Sequence, residues 1–225
     1  MTTPLSPSVE DYLKAIYLLS ERGAAAFTTD IARELALSPA AVTGMVKRLD
    51  EAGYVEHEPY RGVLLTPSGR AAALAVMRRH RILETYLAEM LRYDWASVHE
   101  EAERLEHAAS DGLIERMAEA LGEPKYDPHG APIPTREGVI ESPPSQSLAE
   151  VEVGVRVTLR QVGDHDPERL RYLESLGLVP AVALVVTDRK PFGGPITVFV
   201  GGPGGSERVI GLELASTLRV GPPSH

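Results

Sequence analysis

Residues 28–49 read TTDIARELALSPAAVTGMVKRL. Two short helical segments meet here at Ser38-Pro39, each opened by a residue that can cap a helix. Thr28 opens the first, and Pro39 takes the first helical position of the second, where its missing N–H costs nothing. Helical spacing turns Ile31, Ala32 and Leu35 inward in the first segment, and Val42, Met45, Val46 and Leu49 inward in the second. Ser38, Ala40, Ala41, Thr43, Gly44, Lys47 and Arg48 are left on the outer face. That face is small near its N-terminus and basic toward its C-terminus. It can approach base edges closely and meet phosphates further along. An ordinary helical hairpin is the alternative, and the short connection together with this surface favours a helix-turn-helix.

Outward from this pair the pattern is consistent. Upstream, SVEDYLKAIYLLS at 8–20 repeats Val9, Leu13, Ile16 and Tyr17 at helical spacing behind Ser8 as a cap. Glu10 and Asp11 fall in its first turn, where a helix dipole favours them. Downstream, Gly53 ends the second segment. Tyr54–His57 and Val63–Thr66 then read as two strands of a hairpin whose tip carries Arg61, placed for a phosphate or the minor groove. Residues 1–70 are thus expected to form a winged helix-turn-helix.

The next segments carry ligand chemistry. A long helix is expected over Gly69–Leu91, holding MRRHRILETYL at 77–87, in which His80 and Glu84 share a face. Residues 97–110 read SVHEEAERLEHAAS and are expected to be one helix. His99, Glu103, Glu106 and His107 then fall in one narrow arc. Two imidazoles and two carboxylates on one stripe suit a divalent cation, and a solvated charged face is the alternative. A further helix, Asp111–Leu121, carries an apolar stripe of Leu113, Ile114, Met117 and Leu121, expected to serve a dimer interface. Residues 71–122 therefore read as a metal-binding and dimerisation segment. Residues 123–147, rich in proline, read as a linker or extended loop, partly ordered by contacts, in which His129 is structural or solvated. From 148 to 225 the period changes to two. Val151, Val153, Val155 and Val157 alternate with polar residues, and strands follow at Ala183–Thr187, Ile196–Val200 and Glu207–Gly211, with a short helix at Pro167–Leu176. The expected class is α+β, ending in a small SH3-like barrel.

Composition sets bounds. The chain has 225 residues, a net charge of −9 and no cysteine. Any metal site must be built from oxygen and imidazole nitrogen. No apolar run approaches the length of a membrane span and no signal-like segment follows Met1, so a cytoplasmic protein with no membrane partner is expected. The acidic balance argues against a non-specific nucleic-acid coat and leaves room for a local DNA-binding face.

The two ligand-rich stretches, behind this winged helix and before this barrel, resemble the diphtheria-toxin-repressor family of metal-dependent regulators. The resemblance covers the whole chain in order. It implies a homodimer that binds double-stranded operator DNA when loaded with a divalent ion, and two metal positions. One would use Glu103, Glu106 and His107 with Asp11 from the first helix. The other would use His80, Glu84 and His99, completed from the barrel by His165 and Glu168, with Asp164 and Asp166 as substitutes; the alternative for this group is to cap the short helix. Glu103 and Asp11 stand where iron-responsive members have Cys and Met, which implies Mn²⁺ first and Fe²⁺ second. Lys14 stands where the manganese-responsive branch has a glutamate. A metallohydrolase, which lacks an obvious general base here, and a metal-independent regulator sensing an organic ligand are the rival readings.

Overall fold

The computed structural model describes residues 5–21, 25–58, 61–163 and 166–223. They divide into two compact units, Met1–His80 with Pro134–Val139, and Arg81–Ile133 with Ile140–His225.

In the first unit, α1 (Pro7–Glu21) begins one residue before the expected Ser8 cap. Pro7 takes the first helical position, and the Ser6 carbonyl accepts from Val9 and Glu10. Phe27, rather than Thr28, occupies the N-cap of α2 (Thr28–Glu34), with no side-chain cap bond. In α3 (Pro39–Glu51) the expected cap is present, Ser38 Oγ accepting from Ala41 N at 3.3 Å. Gly53, at φ +77°, turns the chain out of α3. The wing pairs β1 (Val55–Glu58) with β2 (Gly62–Leu65) in antiparallel register. Buried Leu13, Ile16 and Tyr17 of α1, Ile31 of α2, Val42, Val46 and Leu49 of α3, and Val55 and Val63 of the wing supply the apolar core. This is the winged helix-turn-helix, and it leaves the outer face of α3 in solvent.

Helix α4 (Pro67–Glu89) runs through the boundary at His80/Arg81. Its start is set by Thr66, whose Oγ1 accepts from Gly69 N at 3.1 Å. In the second unit, α5 (Val98–Leu105) stops short of the continuous helix expected to Ser110. Glu106 is its C-cap and His107 lies in the turn that follows. Ser110 then caps α6 (Asp111–Ala120) through Leu113 N. Ile82, Leu83 and Leu87 of α4 pack with Val98 and Ala102 of α5, Ile114 and Ala118 of α6, and Ile133.

The C-terminal sheet is antiparallel, in the order β3-β8-β4-β5-β6-β7. Its strands are β3 (Gln146–Ser147), β4 (Arg156–Val162), β5 (Ala183–Arg189), β6 (Ile196–Val200), β7 (Ser206–Ile210) and β8 (Leu218–Gly221). Two short helices, α7 (Pro167–Ser175) and α8 (Leu212–Thr217), complete it. The expected strand at Val151–Val155 is absent. Val153 and Val155 are exposed, and pairing starts at Arg156. Leu159, Leu170, Leu184, Val198 and Leu218 fill its core, and Trp95 packs against that core from the segment before α5.

Contacts order the first part of the Pro-rich region. Tyr126 and Pro132 form an antiparallel bridge, and Asp127 Oδ1 accepts from His129 N at 2.8 Å and Ala131 N at 2.9 Å. The turn's carbonyl at His129 accepts from Val162 N of β4 at 2.8 Å, and Trp95 Nε1 donates to Pro128 O at 2.9 Å. Gly130 sits at φ +86°, and a Cβ there would lie 1.9 Å from Arg160 O. Only glycine allows this approach to β4.

Candidate metal centre and DNA-binding face

The hairpin carries two ligand-type side chains into the second unit, where they meet α4. Glu84, Asp127 and His129 each offer a donor atom, all within 4.8 Å of one another. Glu84 and His129 are 1 % exposed and Asp127 is 8 % exposed. Each imidazole nitrogen of His129 has a distinct place. Nε2 lies 3.0 Å from the Trp95 carbonyl, an acceptor, so Nε2 carries the hydrogen. Nδ1 then bears the lone pair, and it lies 3.9 Å from Glu84 Oε1. Metal-binding histidines commonly anchor the other ring N–H on a carbonyl in this way. From α5, His99 Nδ1–H donates to Glu84 Oε1 at 2.9 Å and fixes that carboxylate.

Three groups of this kind in so little space need compensation. Arg81 supplies part of it, its Nε 3.6 Å from Asp127 Oδ2. Burial, with the Glu84 charge adding to it, still pushes the Asp127 carboxyl up to about 6; Arg81, His129 and the Ala131 N–H oppose the rise. The donor set fits a divalent ion. Atoms bound to one ion at about 2.2 Å lie within roughly 4.4 Å of each other, so a contraction of a few tenths of an ångström closes the site. Oxygen and nitrogen donors with no sulfur suit manganese or iron.

Neither Asp127 nor His129 was singled out in the sequence as a candidate ligand. The signal was an Asp-x-His pair directly before a glycine, YDPHG at 126–130, inside a stretch read as spacer. His129 is buried, not solvated.

The remaining expected ligands fall as follows. In the second unit, Glu106 is fully buried, with His107 Nε2 3.6 Å from its Oε1. Glu103 is half-buried, 3.7 Å from His99 Nε2. The end of α5 at Leu105 means that these residues span a helix and the turn after it, not one straight stripe. In the first unit, Asp11 is half-buried on α1 and His80 is buried on α4, with Lys14 Nζ 3.3 Å from its Nδ1. Glu168 is exposed in the first turn of α7 and joins no ligand cluster among the described residues. Asp166 caps that helix, accepting from Glu168 N at 2.8 Å and Arg169 N at 3.3 Å. His165 and Asp164 lie outside the described residues.

On the DNA-binding candidate face, Ser38, Pro39, Ala40, Thr43, Gly44, Lys47 and Arg48 are all exposed, and Thr28 is half-buried. Lys47 Nζ stands 3.8 Å from Glu51, and Arg61 Nη1 stands 3.0 Å from Glu58. Both pairs are exposed and weak in water, so phosphates can replace the carboxylates at little cost. Among the described residues no helix is long and apolar enough to cross a membrane.

Known proteins share this order of domains. Residues 4–63 match the iron-dependent repressor N-terminal DNA-binding domain, 66–135 the iron-dependent repressor metal-binding and dimerisation domain, and 146–222 the FeoA domain. The iron-dependent repressor IdeR of Mycobacterium tuberculosis is 33% identical over 228 residues, covering 96% of this chain and 97% of that protein. The transcriptional regulator MntR of Bacillus pumilus is 39% identical over 121 residues, 54% of this chain and 81% of that protein. A manganese-dependent transcriptional repressor, solved in complex with manganese, superposes with a TM-score of 0.87 at 38% identity, covering 94% of this chain and 98% of that one. The chain belongs to the iron-dependent repressor family, and it is a metal-dependent, DNA-binding transcriptional regulator.

Proposed function

We propose that the chain is a homodimeric repressor that binds operator DNA when loaded with Mn²⁺, with Fe²⁺ as the second metal, and that it controls metal-uptake genes. The observation that carries the metal assignment is the buried Glu84–Asp127–His129 cluster, with His129 Nδ1 presented to Glu84 by the Trp95 carbonyl. When bound, the ion supplies positive charge among carboxylates that otherwise repel one another. Manganese is favoured by an all-oxygen-and-nitrogen ligand set in a chain without cysteine, and by likeness to manganese-dependent repressors. Iron is favoured by full-length likeness to an iron-dependent repressor.

A second ion is assigned to Asp11, Glu103, Glu106 and His107. This reading rests on ligand type and family pattern. Such an ion limits how the two recognition helices of a dimer are spaced, which half-sites about 34 Å apart require. Metal thus shifts a population toward the DNA-competent dimer. Recognition is assigned to Ser38, Pro39, Ala40, Thr43 and Gly44 at base edges, with Thr28, Lys47, Arg48 and Arg61 on the backbone. Exposed Leu105 and Leu113, in the segment matched to a dimerisation domain, support the dimer.

The protein carries its own reporter for the buried cluster. Trp95 is the one tryptophan, and its ring centroid lies 5.1 Å from that of His129. Titrating Mn²⁺ is expected to quench Trp95 emission and to produce a gel shift of operator DNA that EDTA reverses and Mn²⁺ restores. In His129→Ala the bound metal falls by one ion per chain and the quench disappears. DNA binding indifferent to EDTA in the native protein would overturn the metal-dependent reading.

A further inference from the structure

We infer that Lys14 is a resident cation that holds His80 out of metal coordination. The two residues belong to the first unit, Lys14 one turn along α1 from Asp11, and His80 on α4. Lys14 Nζ lies 3.3 Å from His80 Nδ1. An ammonium has three hydrogens and no lone pair, so it can only donate. His80 Nδ1 must therefore accept. A neutral imidazole has one acceptor nitrogen, so Nε2 then carries the hydrogen, and neither nitrogen has a lone pair left for a metal. This is the reverse of His129, whose donor nitrogen is turned to a carbonyl and whose lone pair faces a carboxylate.

The environment keeps the arrangement in place. His80 is 5 % exposed, so water does not readily replace the lysine. Beside it, Arg79 pairs with Glu10 across the same two helices, with side chains 15% and 13% exposed, and this fixes α1 against α4 one residue before His80. Metal entry at His80 would require the ammonium to leave or to lose its proton, in addition to stripping water from the ion. Lys14 thus already occupies with positive charge the place that a metal at His80 would fill. The chain then uses its buried Glu84–Asp127–His129 cluster, and not His80, for the ion near α4. Lys14 acts through His80, so it is a positioning residue that sets how many ions bind.

This inference rests on the metal reading above only in that the chain binds Mn²⁺ at all. The test counts ions. Mn²⁺ bound per chain is measured by the loss of the free-ion electron paramagnetic resonance signal, at saturating metal, in the native protein, His80→Ala, Lys14→Met and the double variant. We expect His80→Ala to hold as many ions as the native protein, with affinity within about twofold. Lys14→Met should gain one ion per chain, and Lys14→Met combined with His80→Ala should lose that gain. Lys14→Arg, which keeps the positive charge, should stay at the native count. A drop of one ion in His80→Ala alone would overturn the inference, as would no gain in Lys14→Met. Loss of all Mn²⁺ binding in His129→Ala, or none in the native protein, would instead count against the metal reading itself. Should Lys14→Met fold poorly, Lys14→Gln provides the same readout with a side chain of similar length.

Discussion

The recognition helix and the Tyr126–Pro132 hairpin are both short and polar, and they use opposite means to place their working groups. Helix α3 buries Val42, Val46 and Leu49 and sends Ser38, Thr43, Lys47 and Arg48 into solvent, where each is paired locally or hydrated. The hairpin turns Asp127 and His129 inward and satisfies them with backbone amides, a carbonyl and Arg81. Display on a helix surface costs little and follows from local pattern. Burial of ionisable groups costs several kcal/mol unless partners are supplied, and those partners come from α4 and the segment before α5, more than thirty residues away. The DNA-binding face can therefore form before it meets its ligand, whereas the metal cluster holds an electrostatic deficit that an ion relieves.

The largest effect is expected at the ion assigned to Asp11, Glu103, Glu106 and His107. His107→Ala should lower metal-stimulated operator affinity by at least about a hundredfold, roughly 2.7 kcal/mol, while gel filtration still shows a dimer. Unchanged binding at equal metal would overturn the assignment of this second ion. The deficit at the hairpin can be measured through pH. Asp127 titrates near 6 in the fold against an unfolded value of 3.8, so this carboxyl binds its proton more tightly when folded. Its contribution to stability is fully present below about pH 4 and is lost as pH rises through 6. The loss amounts to about 3 kcal/mol in the metal-free protein. Asp127→Asn lacks that loss, so the variant should melt higher than the native apoprotein at pH 7 and not at pH 4; equal differences at both values would refute the buried deficit. In the loaded protein the sign reverses. Metal must displace the proton below pH 6, and affinity should fall by up to tenfold per pH unit there.

Smaller effects probe ligand softness and the display face. Asp11→Met with Glu103→Cys should move the metal giving the strongest DNA binding from Mn²⁺ toward Fe²⁺, Co²⁺ or Ni²⁺, by several-fold in midpoint. An unaltered rank order would show that hard oxygen ligands do not set the preference. Arg61→Ala should weaken operator binding only a few-fold, equally across sequences, and reduce the salt slope by about one. A change confined to certain sequences would mean that the wing tip reads bases.

Much of this was legible in the chain because it follows local rules. Ser38-Pro39 marks a helix start, Gly53 a helix end, and the apolar spacing of α3 gives its buried face. Glu84, His99, Glu106 and His107 stood out as candidate ligands by residue type and spacing. What failed was nonlocal. Val153 and Val155 alternate like a strand yet find no partner, because β4 pairs with β5 from Arg156 onward. Strand β8 and helix α8 lack a clear pattern of their own and are held by neighbours. His129 looked like part of a spacer because prolines dominate around it. Its role depends on Trp95, Asp127 and Glu84, which only the folded chain brings together. The contact of Lys14 with His80 is likewise invisible in the sequence, because the two residues lie on different helices.

Gly130 has a consequence for how much metal the regulator needs before it responds. Because it lets the hairpin lie against β4, the barrel prepays the ordering of both hairpin ligands. Fixing a backbone residue costs about 1–2 kcal/mol, and a hairpin without that support would draw the sum from the binding energy of each incoming ion. A chain cut before the barrel would keep every helical ligand and yet need a higher metal concentration to respond. On the proposed metal assignment, the barrel would thereby lower the metal concentration at which the regulator responds.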